Sequence, residues 1–208
     1  MLTLAIAKGY LMSEALARFA NIGIRFEDDL TVSRKLFTVD TSGQYRILQV
    51  RPWDVPVYVA RGAADVGVSG FDVLEEKQDA VIRLIDLGFG ACRLIIAGAK
   101  ERPFNTLFHD IRVATKYPNA TTAHFQKIGI KAHIIKLYGA IELAPITGLS
   151  DVIVDLTATG KTLEENELTI MDTIFHSTAQ LITNASSFCL KDYEIRTLTD
   201  RLLQGSRS

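Results

Sequence analysis

Apolar positions along this chain occur with two spacings: short unbroken runs, and runs interrupted at every third or fourth residue. The opening MLTLAIAKG is of the first kind and predicts a buried strand ending at Lys8-Gly9. The second kind follows at once, with Leu16, Phe19 and Ala20 at helical spacing, Ser13 placed to cap the helix and Gly23 to stop it. YRILQV predicts another strand, and RPWDVPVYVARG a short helix with Asp54 as cap, Pro56 in its first turn and Gly62 at its end. ADVGVSG predicts a third strand, closing on Ser69-Gly70 ahead of the helical FDVLEEK. The same order returns after Gly98: strand IRVATKY, helix ATTAHFQKIG capped by Asn119, strand AHIIKLY, short helix AIELAPITG and strand DVIVDLT. Beyond it lie the apolar, β-branched LTIMDTIFHSTAQLITN and an amphipathic terminal helix in KDYEIRTLTDRLLQG.

Strands alternating with helices imply parallel sheets joined by right-handed crossovers, so the expected class is α/β. Two such groups predict two lobes with a cleft between them. The link is expected near LGFGACRLIIAGAKERPF, where Gly88 and Gly90 break an apolar stretch. If the late strands return to the first lobe, residues 1–91 with 179–208 form one lobe and 92–178 the other.

Composition narrows the function classes. A 208-residue chain that is 48% hydrophobic and 23% charged can bury a core, and a net charge of -1 supplies no basic field for a nucleic-acid backbone. The longest apolar run, around CRLIIAGA, falls short of the ~20 residues of a membrane helix. Cys92 and Cys189 show no CxxC spacing and no secretory leader precedes them, so buried free thiols in the cytoplasm are expected. His109, His124, His133 and His176 show neither HxH nor HxxxH spacing, so no protein-held metal site is expected. No GxSxG elbow indicates a covalent nucleophile.

In open α/β sheets ligands gather outside the carboxyl ends of the strands. Four strand ends here carry chemistry: Lys8-Gly9, Ser69-Gly70 with Asp72, Lys116-Tyr117, and DVIVDLTATGKTL from Asp151 to Leu163. In the last, Ala158 and Gly160 let backbone N–H groups approach an anion, a helix from about Thr162 points its positive end there, Thr157, Thr159 and Thr162 add hydroxyls, and Lys161 adds a charge. Asp155 would repel a phosphate but can accept hydrogen bonds from vicinal ribose hydroxyls, so the combined target is a ribose 5-phosphate. A Walker A loop would need an early Gly where Leu156 stands, and an ordinary strand-to-helix turn is the plainer alternative. Plainer readings also exist elsewhere: solvated surface cations for Lys8 and Arg51, a helix cap for Asp72, and a favourable charge near a helix N-terminus for Glu142.

Together IAKGYL, RPWDVPVYVARGAADVGVSGFDVL, LGFGACRLIIAG, ATKYPNATTAHF, YGAIELAPITGLSDVIVDLTATGKTL and FHSTAQLITN resemble the ATP phosphoribosyltransferase family over nearly the whole chain. The resemblance implies two α/β lobes similar to type II periplasmic-binding-protein lobes, with the active site in the interlobe cleft. It also implies a glycosyltransferase that joins N1 of the ATP adenine to C1 of 5-phosphoribosyl diphosphate, releases diphosphate with Mg²⁺ present, and opens histidine biosynthesis. By the same resemblance Asp155, Thr157, Ala158, Thr159, Gly160, Lys161 and Thr162 bind phosphoribosyl diphosphate. Lys8 and Glu142 are the catalytic candidates, and Arg51, Asp72 and Tyr117 the ATP-binding ones. The family's first turn continues KGR, whereas Tyr10 stands here. Length resembles the short form, which implies self-association and a regulatory subunit related to histidyl-tRNA synthetase. The alternative is a non-catalytic small-anion or nucleotide-binding protein of the same architecture.

Overall fold

A computed structural model of the chain describes residues 1–32, 35–100 and 110–205. His109 and residues 101–104 of the expected link lie outside the described residues. The chain forms two compact units: Met1–Gly90 together with the chain from Thr178 onward, and Ala91–Ser177.

The first unit contains β1 (Leu2–Ala7), α1 (Tyr10–Asn21), β2 (Phe37–Val39), β3 (Tyr45–Val50), a 3₁₀ turn (Pro52–Asp54), α2 (Val55–Ala60), β4 (Val66–Gly70), α3 (Phe71–Lys77) and β5 (Ile82–Asp86). The second contains β6 (Cys92–Ala99), β7 (Ile111–Thr115), α4 (Pro118–Lys127), β8 (Ala132–Lys136), α5 (Leu143–Ile146), β9 (Val152–Thr157), α6 (Lys161–Glu165) and β10 (Leu168–Ser177). The chain then returns to the first unit as β11 (Ala179–Thr183), α7 (Ala185–Leu190) and α8 (Asp192–Gly205).

The sheets are mixed, which corrects the all-parallel expectation. The first runs β2-β3-β1-β4-β11-β5 and the second β10-β6-β9-β7-β8. Pairing is parallel where a helix carries the chain back over the sheet, as in β1 with β3 and β4, or β7 with β8 and β9. The antiparallel pairs are β2 with β3, β6 with β9, β10 with β6, and β11 with both β4 and β5. Helix periodicity carries no information about those directions.

Both faces of the first sheet are covered. Leu4, Ile6, Ile47 and Val68 pack beneath Met12 and Phe19 of α1 and Leu198 of α8, while Ala5, Ala7 and Ile182 meet Val55 and Val59 of α2. Gly67 makes the second contact possible, because a Cβ there would stand 2.7 Å from Val59 Cγ2 and 2.9 Å from Val55 Cγ1. In the second unit Ile95, Ala97, Ile153 and Leu163 share one buried cluster, so the loop after β9 is anchored from below by Leu163 of α6.

Several local expectations need correction. Gly9, at φ 98°, occupies the N-cap of α1, so the helix starts at Tyr10, and the Ser13 hydroxyl donates to the Tyr10 carbonyl (2.9 Å) inside the first turn. Pro118 starts α4 after Tyr117, which puts Asn119 within the helix. Asp54 occupies the N-cap of α2 but makes no side-chain cap bond. Part of the expected link is the buried strand β6, whose apolar run is buried in the second sheet. Against the expectation of buried thiols, Cys189 is exposed and Cys92 only half-buried. Among the described residues no helix is long and apolar enough to cross a membrane.

Candidate active site

In the second unit β9 lies between β6 and β7, and Asp155 is a member of that strand, paired with Ile95, rather than a residue at its tip. Its Oδ1 accepts a hydrogen bond from the Leu156 N–H (2.8 Å). Burial pushes the Asp155 carboxyl up to about 6, against the Leu156 bond; the Glu142 charge adds to the rise and the Lys116 charge opposes it. An acid, a second acid and a base are thus close enough to feel one another. Each comes from the carboxyl-terminal side of a parallel strand: β9, the β8–α5 connection and β7. Glu142 stands at the N-cap of α5 rather than inside the helix.

The β7 turn is tightly fixed. Thr115 Oγ1 donates to the Val154 carbonyl (2.7 Å) and accepts from the Tyr117 N–H (2.8 Å), while Thr121 Oγ1 donates to the Tyr117 carbonyl (2.6 Å). Tyr117 is only 4% exposed, so Lys116 is the half-buried polar group this turn offers.

The loop after Asp155 is built from its own hydroxyls. Thr157 Oγ1 accepts from the Gly160 N–H (2.8 Å), curling the chain back on itself, and Gly160 takes φ 82°, a left-handed conformation that an L side chain resists. Helix α6 begins at Lys161, one residue earlier than expected. Ala158, Thr159, Lys161 and Thr162 are exposed, so small residues, hydroxyls and one ammonium face solvent immediately downstream of the half-buried acid.

In the first unit the parallel strands β3, β1 and β4 bring Arg51, Lys8 and Ser69-Gly70 to one edge of the sheet. Arg51 is exposed at the N-cap of the 3₁₀ turn. Asp72 is buried on α3, folded back so closely over Gly70 that a Cβ there would force its carboxylate to move. Lys8 lines a cavity of about 410 Å³ with Tyr10, Ser13, Thr31 and Gln49. Gln49 is not among the candidates the sequence suggests, although it carries a signal: in YRILQV the alternate positions Tyr45, Ile47 and Gln49 face inward, and an amide on that face is out of place. Lys116 stands at a strand end in the sequence, where nothing local marks it as a site residue.

Residues 51–204 match the family model described as ATP phosphoribosyltransferase (HisG). The chain is 44% identical over 202 residues to an ATP phosphoribosyltransferase of Rubrobacter xylanophilus, covering 95% of this chain and 93% of that one. It is 41% identical to one of Crocosphaera subtropica, covering 97% of each. The ATP phosphoribosyl transferase (HisG:HisZ) complex from Thermotoga maritima superposes with TM-score 0.84 at 36% identity, over 99% of this chain and 98% of that one. The periplasmic aliphatic sulphonate binding protein SsuA from Escherichia coli, at 11% identity and TM-score 0.62, covers 98% of this chain and 72% of that one and shows a likeness of fold alone.

Proposed function

The chain belongs to the ATP phosphoribosyltransferase family, and from that premise we propose how its residues share the reaction. The reaction joins N1 of the ATP adenine to C1 of 5-phosphoribosyl diphosphate and releases diphosphate, the first step of histidine biosynthesis. The observation that carries the proposal is a half-buried carboxylate, Asp155, with a raised pKa, set immediately ahead of a small, hydroxyl-rich turn closed by Gly160.

Asp155 accepts the ribose hydroxyls, and Thr157 through Thr162 hold the 5-phosphate with backbone N–H groups, hydroxyls and the Lys161 ammonium. Glu142, whose charge is felt at Asp155, stabilises the positive charge that grows at C1 as the diphosphate leaves. Lys8 neutralises negative charge on the departing diphosphate, and Arg51, Asp72 and Tyr117 serve the ATP. No protein nucleophile is needed, because N1 attacks C1 directly and orientation with charge neutralisation supplies the rate. Lys116 joins this set as a cation whose charge opposes the rise in the Asp155 pKa.

Among the described residues no group of three His, Cys, Asp or Glu is placed to hold a metal. The oxygen chemistry of Asp155 and Glu142 suits Mg²⁺ carried mainly by substrate oxygens, as this ion prefers. When bound it neutralises diphosphate charge. The HisG:HisZ complex from Thermotoga maritima supports a regulatory HisZ partner and a hetero-oligomer for this chain, and the cytoplasm is the compartment we propose. A purely ligand-binding role, which the sulphonate-binding protein's fold would allow, is disfavoured by family membership.

The test is an assay of the purified chain with ATP, phosphoribosyl diphosphate and Mg²⁺, with and without that regulatory subunit, following diphosphate release. Release with stoichiometric N1 adduct is expected in at least one arm; none in either arm from folded protein overturns the reading.

A further inference from the structure

Gln49 is 5% exposed, and its side-chain nitrogen has no hydrogen-bond partner among the described residues. A buried amide N–H without a partner costs stability, and proteins keep one where something else satisfies it. Its neighbours indicate what that is. Gln49 pairs with Ile6 of β1 on the face covered by α1, and it lines the 410 Å³ cavity that also holds Lys8, Gly9 and Tyr10 at the start of that 12-residue helix.

The groups around the cavity favour negative charge. Lys8 contributes an ammonium, the first turn of α1 contains no acidic residue, and its N-terminal N–H groups carry the positive end of the helix dipole. Asp29 does not line the cavity, and its carboxylate is occupied by the N–H (2.9 Å) and hydroxyl (2.6 Å) of Thr31. The floor is apolar, from Met12 and Leu30, so a donor buried there acts in a medium of low polarity where its bond to an anion is strong. A carboxamide presents either end by a half-turn about its last bond, so an arriving anion can draw the NH₂ toward itself.

We propose that Gln49 is a substrate-binding residue whose carboxamide NH₂ donates to a diphosphate held between Lys8 and the start of α1. This deepens the role given to Lys8 above and rests on it. The diphosphate could come from 5-phosphoribosyl diphosphate or from the ATP chain, and the two have the same chemistry at this cavity.

The experiment titrates the full chain with inorganic diphosphate, then separately with ATP and with 5-phosphoribosyl diphosphate, for wild type, Gln49→Leu, Gln49→Glu and Lys8→Met. Gln49→Leu keeps the volume, removes the orphaned amide and is expected to hold or raise Tm while weakening diphosphate binding about fivefold or more. Gln49→Glu weakens it further by repulsion. The substrate whose Kd moves with that of diphosphate is the source. In the wild-type protein the ¹⁵N-labelled Gln49 side-chain NH₂ resonances should shift on diphosphate addition, a readout that needs no variant to fold. An unchanged diphosphate Kd in Gln49→Leu, or an unmoved amide resonance, overturns the assignment. If Lys8→Met weakens binding and Gln49→Leu does not, the role of Lys8 stands and that of Gln49 falls; if neither has an effect, both fall.

Discussion

The hydroxyl of Thr115 donates to the carbonyl of Val154 at 2.7 Å, pinning the end of β7 to β9 one residue before each strand presents its charged group. Lys116 follows Thr115 and Asp155 follows Val154, and the charge of the first depresses the pKa of the second. Glu142 acts in the opposite sense.

These opposed influences give a pair of pH predictions. Only ionised Asp155 accepts both ribose hydroxyls, so kcat/KM for 5-phosphoribosyl diphosphate should fall on the acid side with an apparent pKa near the value of about 6 of the free protein. Lys116→Met removes the lowering charge and should move that limb to higher pH. Glu142→Gln removes the raising charge and should move it to lower pH, whatever it does to kcat. Limbs that move together, or not at all, contradict the placement of the three groups.

Burial of the Asp155 carboxylate also has a cost that thermal unfolding can read. Its folded pKa lies above its ordinary value of 3.8, so the protonated form favours folding, and that contribution is lost as pH rises through about 6. Asp155→Asn keeps an oxygen for the Leu156 N–H but carries no charge, so at pH 8 it should unfold later than wild type, by about 1–3 kcal/mol, while losing activity. At a pH below the ordinary carboxylate value the two proteins should converge.

Two glycines separate binding from packing. Gly160 at φ 82° has room for a Cβ, whose nearest neighbour outside the adjoining residues is Ile170 Cδ1 at 3.8 Å, so Gly160→Ala costs about 1–2 kcal/mol of backbone strain and distorts the phosphate loop. KM for 5-phosphoribosyl diphosphate should rise several-fold, as initial rates at varied substrate will show. Gly67→Ala collides with Val59 and Val55 instead. It should lower stability by about 1–3 kcal/mol with KM unchanged at temperatures where it is folded.

Much of this was legible in the sequence. Continuous apolar runs mark the strands LTLAIA, VGVSG and VIVDLT, because central strands covered on both faces leave no alternation. The phosphate loop was visible because its small and hydroxyl-bearing residues are contiguous. Strand direction was not visible, since β10 and β11 are joined through Thr178 with no helix to announce a crossover. The N-caps at Gly9 and Tyr117 are hidden from the sequence for a similar reason: φ 98° at one and Pro118 after the other set the boundary, and neither resembles a side-chain cap. Lys116 and Gln49 depend on neighbours distant in sequence.

Asp65 ties the chain's return to its beginning. It accepts from the Thr3 N–H (2.8 Å), Ser187 Oγ (2.9 Å) and Lys191 Nζ (2.7 Å), joining β1 to the helices after β11. Burial works to raise its pKa, but these bonds outweigh it and hold the carboxyl below its ordinary value. The stability it contributes is therefore present above the unfolded pKa and lost as pH falls through the lower folded one. Asp65→Ala should cost about 2–3 kcal/mol at neutral pH in denaturant unfolding, with the deficit shrinking in acid.

The most direct test of the central claim is calorimetric titration of 5-phosphoribosyl diphosphate with Mg²⁺ at pH 8 into wild type and Asp155→Asn, both shown to be folded. The roles given to Asp155 and its loop predict affinity weakened roughly tenfold or more by the loss of a charged acceptor. Equal affinity in the two proteins would contradict the assignment of the ribose to Asp155.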